Sequence, residues 1–130
     1  MKRVITFGTF DVFHVGHLRI LERASRMGDY LIVGVSTDAL NFAKKGRNPF
    51  YNQEERVEII SALCYVDEVF SEESLELKRH YINKYHADIL VMGDDWAGKF
   101  DEFKDICRVE YLPRTPSIST TAVIEKIRIP

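Results

Sequence analysis

Short apolar segments alternate along this chain with segments whose apolar residues recur at helical spacing. Val4–Phe7 and Tyr30–Val35 show no alternation of polar residues and predict strands that are buried on both faces. Between them, Gly16–Met27 places Leu18 and Leu21 on one face and charged residues elsewhere, which predicts a helix. A buried strand, a helix and a second buried strand in this order are typical of a βαβ unit in a parallel sheet.

The same alternation continues to the end of the chain. A capping box of Asn52 and Glu55 opens a helix that we expect to run through Leu63. The other predicted elements are strands at Glu68–Phe70, Ile89–Met92 and Val109–Leu112, and helices at Leu75–Tyr85 and from Ser119 or Thr120 to about Ile127. With no repeat, low-complexity tract or linker, residues 1–130 are predicted to form one α/β domain, a Rossmann-like parallel sheet with helices on both faces.

The charge balance and the distribution of apolar residues exclude several classes of protein. The 18 Lys and Arg against 20 Asp and Glu give a net charge of −2, which argues against a nucleic-acid-binding protein. The longest uncharged stretch, Thr115–Ile124, is too short to span a bilayer, and the first residues lack a signal-peptide pattern, so we expect a cytoplasmic protein without membrane contact. Cys64 and Cys107 have apolar neighbours and form no Cys-x-x-Cys motif, which predicts two reduced thiols in the core.

Candidate functional residues follow the first strand, at the edge of the sheet where α/β proteins bind ligands. Gly8 and Gly16 allow the backbone to approach a ligand closely, and His14 and His17 lie three residues apart at the start of a helix. Two imidazoles beside the free N–H groups of a helix N-terminus favour an anion such as phosphate. One histidine alone would be interpreted as a helix cap or a core residue, but the pair after this strand predicts a phosphate clamp.

A second group of anion-binding side chains follows the last strand. Arg114 can bind phosphate oxygens through two N–H groups, and Ser119, Thr120 and Thr121 bring hydroxyls to the start of the final helix. A plain N-cap after a proline-containing turn would explain one hydroxyl, but not several beside an arginine. Because both groups lie at the carboxyl ends of strands, they fit one triphosphate.

These segments resemble known motifs. Gly8–His17 is similar to the signature of the nucleotidyltransferase superfamily, which includes the cytidylyltransferases and phosphopantetheine adenylyltransferase, and class I aminoacyl-tRNA synthetases share its His-x-Gly-His. Arg114–Thr121 is similar to the Arg-Thr-x-Gly-Ile-Ser-Thr motif of the cytidylyltransferases, with Ser117 in place of glycine. With Met92–Asp101 and Ser36–Lys44, these motifs most resemble the bacterial glycerol-3-phosphate cytidylyltransferase family, over nearly the whole chain.

The resemblance implies a reaction of CTP with sn-glycerol 3-phosphate that gives pyrophosphate and CDP-glycerol, a precursor for teichoic acid or capsule polymers. It implies catalytic roles for His14, His17, Arg114 and Lys44. It implies nucleotide contacts from Gly8, Thr9, Phe10, Asp11, His14, Gly16, His17, Gly93, Asp95, Arg114, Thr115, Ile118, Ser119, Thr120 and Thr121. It also implies a homodimer. Mg²⁺ is expected on the triphosphate, and no protein side chain is assigned to it as a ligand. Asp11 is left with two alternatives, to support the ion or to orient a histidine.

A basic cluster follows the second strand. Lys44, Lys45 and Arg47 around Gly46 are interpreted either as a solvated loop or as a mobile lid that brings positive charge to the triphosphate. The resemblance assigns Lys44 to the phosphate of the acceptor. It leaves open whether Lys45 or Arg47 replaces a further lysine of the family.

The resemblance assigns two further residues to the acceptor. Lys78 aligns with a second substrate lysine, with a plain surface lysine of the helix as the alternative. Arg56 aligns with a family arginine, and because a cation near a helix N-terminus opposes the dipole, we expect no local structural benefit from it. Leu75 stands where the family commonly has Trp, which leaves the acceptor open. His80 and His86 are interpreted as surface residues.

The remaining alternatives concern substrates and activity. Another acceptor, such as ethanolamine phosphate or another polyol phosphate, or ATP in place of CTP as in flavin adenylyltransferases, would keep the same mechanism. A non-catalytic nucleotide sensor is disfavoured because His17 and Arg114 are both present, and 130 near-neutral residues leave no room for the tRNA-binding domains of a synthetase. Asp94, Asp95 and Trp96 follow a strand and are interpreted as contacts to the base or ribose.

Overall fold

The computed structural model describes residues 1–114 and 119–128. The elements in these ranges are β1 (Arg3–Gly8), α1 (Val15–Ser25), β2 (Tyr30–Ser36), α2 (Asp38–Lys45), α3 (Gln53–Ser61), β3 (Glu68–Glu72), α4 (Lys78–Lys84), β4 (Ile89–Gly93), β5 (Arg108–Leu112) and α5 (Thr120–Arg128). Short 3₁₀ segments occupy Leu75–Leu77, Asp94–Trp96 and Asp101–Asp105. The strands and helices predicted from the sequence are confirmed, and α2 is an additional helix.

The strands of these ranges all pair in parallel, in the spatial order β3-β2-β1-β4-β5. The register places Val4 beside both Leu31 and Ile89, so the central strands end at the same edge of the sheet. From β1 the chain moves to one side through β2 and β3, and it then crosses to β4 and β5 on the other side. The carboxyl ends of β1 and β4 form the switch point at which α/β proteins bind ligands. The predicted Rossmann-like parallel sheet is confirmed, whereas the single domain over residues 1–130 stays a prediction.

Two apolar clusters cover the two faces of the sheet. On one face Val4 packs with Leu21 of α1 and Ile60 of α3. On the other face Ile5 packs with Ile82 of α4, and all five side chains are at most 1 % exposed. Because successive residues of a strand point to opposite faces, a strand buried by helices on both sides is apolar throughout. This is the reason for the uninterrupted apolar strands of the sequence.

Helix α2 lies in a segment that the sequence assigned to a loop. Thr37 caps its start by accepting a backbone N–H of the first turn at 3.1 Å, and Gly46 ends it in the left-handed conformation with φ of 72°. Lys44 and Lys45 are therefore in the last turn of a helix, and only Arg47 lies in the loop that follows. Both interpretations of Lys44 as a loop residue, in a solvated loop or in a mobile lid, are therefore wrong.

The exposed surface includes residues that the sequence assigned to the surface and one that it assigned to the core. His80 and His86 are exposed, as predicted. Both cysteines are free thiols, and Cys107 is half-buried with its Sγ 3.5 Å from the carbonyl oxygen of Phe103. Cys64 is exposed in the turn after α3, so the prediction of a core thiol is wrong at this position. No helix of the described residues has the length and apolar character needed to cross a membrane.

Candidate active site

A cleft of about 760 Å³ opens at the carboxyl ends of β1 and β4. Its walls come from the loop between β1 and α1, the segment after α2, the residues after β4 and β5, and α5. The predicted nucleotide-binding residues on these walls are Gly8, Thr9, Phe10, Asp11, His14, Gly16, His17, Gly93, Asp95, Arg114, Ser119, Thr120 and Thr121. Thr115 and Ile118 lie outside the described residues. The fold thus brings together two motifs from opposite ends of the chain.

The rings of His14 and His17 stack at the start of α1, with their centroids 3.8 Å apart. Nδ1 of His14 accepts the backbone N–H of Gly16 at 3.0 Å, and Nδ1 of His17 accepts the backbone N–H of His14 at 3.2 Å. A neutral imidazole carries its proton on the other nitrogen, so Nε2–H is the free donor of each ring. The pair therefore caps the helix and also supplies two donors at the cleft.

Burial keeps both histidines neutral at neutral pH. The pKa of His17 is lowered to about 4, chiefly by burial and next by the charge of His14, against an opposing effect of Asp11. The pKa of His14 is also lowered, by burial and then by the charge of Arg114. The two rings can therefore act on a phosphoryl group as neutral hydrogen-bond donors, and the positive charge of the cleft comes from arginine and lysine.

Asp11 connects three segments around the cleft. Its carboxylate accepts the backbone N–H groups of Val12, Phe50 and Tyr51 at 3.0, 2.7 and 2.9 Å. Its carbonyl oxygen accepts the hydroxyl of Thr120 at 2.8 Å. Val12 has φ of 46°, which a β-branched residue rarely adopts, so these bonds hold a strained loop in place. The sequence left Asp11 to support an ion or to orient a histidine, and the structure shows that it anchors the backbone of neighbouring segments.

Arg56 is fully buried beneath the loop that follows β1. Its guanidinium donates to the carbonyl oxygens of Thr9, Ser36 and Tyr51 at 3.0, 2.7 and 3.0 Å, and to the carboxylate of Asp38 at 2.7 Å. The expectation that this arginine brings no local structural benefit is therefore wrong, because it satisfies carbonyl groups at the ends of two strands. The structure thus shows Arg56 supporting the loop, and contact of Arg56 with an acceptor stays a prediction.

Lys78 is buried and does not lie on the helix surface. Its Nζ is 2.5 Å from the carboxylate of Glu72, and both residues are at most 3 % exposed. Nζ also lies 4.3 Å from the ring centroid of Phe7, which lines the cleft, and 5.3 Å from that of Phe100. The alternative of a plain surface lysine is wrong, and contact of Lys78 with an acceptor stays a prediction.

The basic residues around Gly46 divide into two groups. Lys45 and Arg47 line the cleft, whereas Lys44 does not belong to its walls. Lys44 is exposed, but partial loss of hydration still lowers the pKa of its ammonium group. The charge of Glu72 opposes this shift, and the charges of Lys45 and Lys78 add to it.

Several cleft residues had no role assigned from the sequence. Arg23 of α1 donates to the carbonyl oxygen of Pro113 at 2.8 Å and lines the cleft with Arg128 of α5. Asn41 is 1 % exposed, and its Oδ1 accepts the hydroxyl of Thr9 at 2.9 Å. Asn41 fixes the loop after β1, and the arginines add positive charge to the walls.

Comparison with known proteins identifies the family. The family model described as cytidylyltransferase-like matches residues 5–126. The chain belongs to the cytidylyltransferase-like family. The glycerol-3-phosphate cytidylyltransferase of Bacillus subtilis (strain 168) is 50 % identical over 127 residues, which cover 98 % of each chain.

A second relative supports the assignment of this cytidylyltransferase-like protein, and a solved structure shows its fold. The glycerol-3-phosphate cytidylyltransferase of Staphylococcus aureus (strain NCTC 8325 / PS 47) is 46 % identical over 127 residues, covering 98 % of this chain and 96 % of the relative. The lipopolysaccharide core biosynthesis protein of Thermoplasma volcanium GSS1 has the same fold, with a TM-score of 0.74 at 23 % identity, covering 88 % of this chain and 98 % of that chain. The prediction of a nucleotidyltransferase of the cytidylyltransferase family is confirmed.

Proposed function

We propose that this cytidylyltransferase-like protein transfers CMP from CTP to sn-glycerol 3-phosphate and releases CDP-glycerol and pyrophosphate. The observation that carries the proposal is the pair of neutral imidazole donors, His14 and His17, which share one cleft with Arg114 and the hydroxyls at the start of α5. The names of the relatives at 46 % and 50 % identity support the choice of substrates.

The reaction is a direct displacement at phosphorus. An oxygen of the acceptor phosphate attacks the α-phosphorus of CTP, and the bond from that phosphorus to the bridging oxygen of the leaving pyrophosphate breaks. The attacking oxygen already carries negative charge at neutral pH, so neither a general base nor a covalent intermediate is needed. Nε2–H of His14 and of His17 would stabilise the charge that develops on the α-phosphoryl oxygens. Arg114 with the hydroxyls of Ser119 and Thr121 would hold the pyrophosphate, while the hydroxyl of Thr120 stays on the carbonyl oxygen of Asp11.

Mg²⁺ is proposed to enter with CTP. Both carboxylate oxygens of Asp11 already accept backbone N–H groups, so we assign the ligands of the ion to phosphate oxygens and water rather than to this side chain. When bound, the ion neutralises charge on the triphosphate. Arg23, Lys45, Arg47 and Arg128 on the cleft walls add charge of the same sign from the protein.

The acceptor phosphate is proposed to bind at Lys44 and Lys78. Lys78 lies behind Phe7 of the cleft wall, so the acceptor would approach the nucleotide from the side of β3 and α2. Arg56 supports this side of the cleft through Ser36 and Asp38, and does not need to touch the acceptor. Two ammonium groups would offset the repulsion between the incoming phosphate and the triphosphate.

We also propose that the enzyme is a cytoplasmic homodimer whose product is used to make teichoic acid or capsule polymers. The dimer and the pathway rest on the family resemblance, and the location rests on the composition of the chain. Sedimentation equilibrium of the purified protein measures the oligomeric state directly.

The substrates are tested by measuring pyrophosphate release with Mg²⁺, crossing CTP, ATP, UTP and GTP with glycerol 3-phosphate, ethanolamine phosphate and other polyol phosphates. We expect turnover with CTP and glycerol 3-phosphate alone. His17→Ala should lower kcat by about 10²-fold, the scale for the loss of one transition-state donor. His80→Ala, at an exposed position, is the matched control and should leave kcat unchanged.

Each other outcome corrects a different part of the proposal. CTP with another acceptor would keep the mechanism and overturn the substrate, tracing the error to the surroundings of Leu75 and Lys78. ATP as the substrate would overturn the assignment of the base site. No turnover with any pair, from a folded protein that binds CTP, would overturn the activity itself.

A further inference from the structure

The buried ion pair of Glu72 and Lys78 is the strongest feature of the molecule that the mechanism has not used. Glu72 ends β3 at the edge of the sheet that carries the cleft, and its side chain is 2 % exposed. Its Oε2 lies 2.5 Å from Nζ of Lys78, whose side chain is 4 % exposed. Burying two charges costs free energy that a well-packed apolar pair would not cost. A pair of this kind beside a ligand-binding region therefore calls for a functional explanation.

The pair is joined to α2 as well as to α4. The backbone N–H of Thr37, which caps α2, donates to the carbonyl oxygen of Glu72 at 3.0 Å. At the other end of α2, the charges that act on the ammonium of Lys44 are Glu72 of β3, Lys78 of α4 and Lys45 of its own helix. Glu72 favours the charged form of Lys44, and the two lysines oppose it. One carboxylate thus acts on two ammonium groups from different elements.

We propose that Glu72 is a positioning residue that holds the ammonium group of Lys78, at 2.5 Å, within the binding site for the acceptor phosphate to which Lys44 also contributes. The like charges of Lys44 and Lys78 repel each other, and the buried carboxylate that is bonded to Lys78 offsets that repulsion in the free enzyme. The inference rests on the proposed function, in which both lysines bind the acceptor. Glu72 then determines the affinity for the acceptor without touching the reacting atoms.

Glu72→Gln keeps the shape of the side chain and removes its charge. Lys78 loses a charge-assisted hydrogen bond, so the KM for glycerol 3-phosphate should rise about tenfold, while the KM for CTP should stay within about twofold. The variant should also lower the pKa of Lys44, because the carboxylate that favours its charged form is gone. As pH rises, kcat/KM for glycerol 3-phosphate should therefore begin to fall at a lower pH than in the wild type.

Two further variants make the test specific. Glu73→Gln removes the neighbouring carboxylate, which is exposed, and should leave both KM values and the pH profile unchanged. Glu72→Asp keeps the charge but is one methylene shorter, so it should raise the KM for glycerol 3-phosphate by about threefold. Because Glu72→Asp leaves no unpaired buried charge, it provides the measurement if Glu72→Gln does not fold.

The outcomes separate this inference from the function on which it rests. A KM for glycerol 3-phosphate within twofold of the wild type in folded Glu72→Gln, or in Glu72→Asp if the first variant does not fold, overturns the inference alone. An equal rise in both KM values also overturns it, because a merely structural role would affect CTP as much as the acceptor. Absence of turnover by the wild type with every alcohol phosphate overturns the proposed function, and with it this inference.

Discussion

Backbone hydrogen bonds decide how the two histidines can act. Because Nδ1 of His14 and Nδ1 of His17 each accept a main-chain N–H, rotation of either ring would break a bond that caps α1. The rings are thereby oriented before any nucleotide binds, and orientation in advance is what makes a donor effective in a transition state. Their neutrality has the same origin as their orientation, namely partial burial at the start of a helix, which disfavours the protonated form.

The lowered pKa of His17 should make stability depend on pH. In the unfolded chain the imidazole has an ordinary pKa of 6.5, and in the folded protein the value is about 4, so the unfolded state binds more protons between these values. The free energy of unfolding should therefore be highest above pH 6.5 and fall by about 2–3 kcal/mol as pH decreases to 4.

Urea unfolding at pH 7, 5.5 and 4.5 measures this dependence in the wild type and in His17→Gln. The free energy of unfolding should decrease less with falling pH in His17→Gln than in the wild type. In His86→Gln, at an exposed position, it should decrease as much as in the wild type. If His17→Gln and the wild type lose stability in parallel, His17 is not the group that takes up the proton. The group that takes up the proton would then be another side chain.

The sequence predicted the residues with a motif better than it predicted their surroundings. The spacing of His14 and His17 and the residue types around Arg114 point to phosphate without any structure. Burial of Arg56 and Lys78 could not be found in this way, because each lies on a short helix whose pattern permits an exposed side chain. Asp38, the partner of Arg56, is 18 residues away on another helix, and only the fold brings the two together. Glu72 is six residues before Lys78, but the turn that points the two side chains at each other carries no motif.

At the level of elements, helix α2 and its loop show why the region after β2 was difficult to predict. Thr37 and Gly46 are start and stop signals for a helix, but the eight residues between them carry only a short apolar pattern. The loop that follows α2 is fixed by Asp11, which lies in the connection between β1 and α1. Contacts of this kind join segments that are distant in sequence, so they appear only once the order of the strands is known.

Asp11→Asn tests whether this contact holds the loop in place. The amide has only one acceptor oxygen, and its NH₂ group would face N–H donors of Phe50 or Tyr51, so at least one bond is lost. We expect the free energy of unfolding to fall by about 1–3 kcal/mol and the KM for CTP to rise about tenfold. Asp29→Asn is the matched control, because its carboxylate also accepts a backbone N–H, that of Lys2 at 2.7 Å. Asp29 and Lys2 directly precede β2 and β1, at the edge of the sheet opposite the cleft.

Kinetics and urea unfolding of both variants decide the question. The control should keep the KM for CTP of the wild type. If Asp11→Asn keeps it as well, the loop does not depend on this carboxylate for nucleotide binding. If the KM rises with no change in stability, Asp11 acts on the nucleotide directly and not through the loop.

At the level of the whole molecule, the cleft joins residues from the beginning of the chain to residues near its end. The first loop belongs to β1 at the centre of the sheet, whereas α5 follows the edge strand β5. In the described part of the chain, α5 has no buried residue, and the hydroxyl of Thr120 ties it to Asp11 at 2.8 Å. An element with so little burial should open readily, and a ligand that contacts both sides should stabilise it.

Amide hydrogen exchange, followed by mass spectrometry, should show this coupling. Peptides from residues 119–128 are expected to exchange quickly in the free protein and at least about tenfold more slowly with saturating Mg²⁺ and CTP, because Thr120, Thr121 and Arg128 line the cleft in which the nucleotide is proposed to bind. Mg²⁺ with ATP at the same concentration should give much less protection if the cleft selects the base. Unchanged exchange of α5 in a sample shown by equilibrium dialysis to hold CTP would mean that the nucleotide binds to the β1 side alone, and the final helix would then have no part in holding the leaving pyrophosphate.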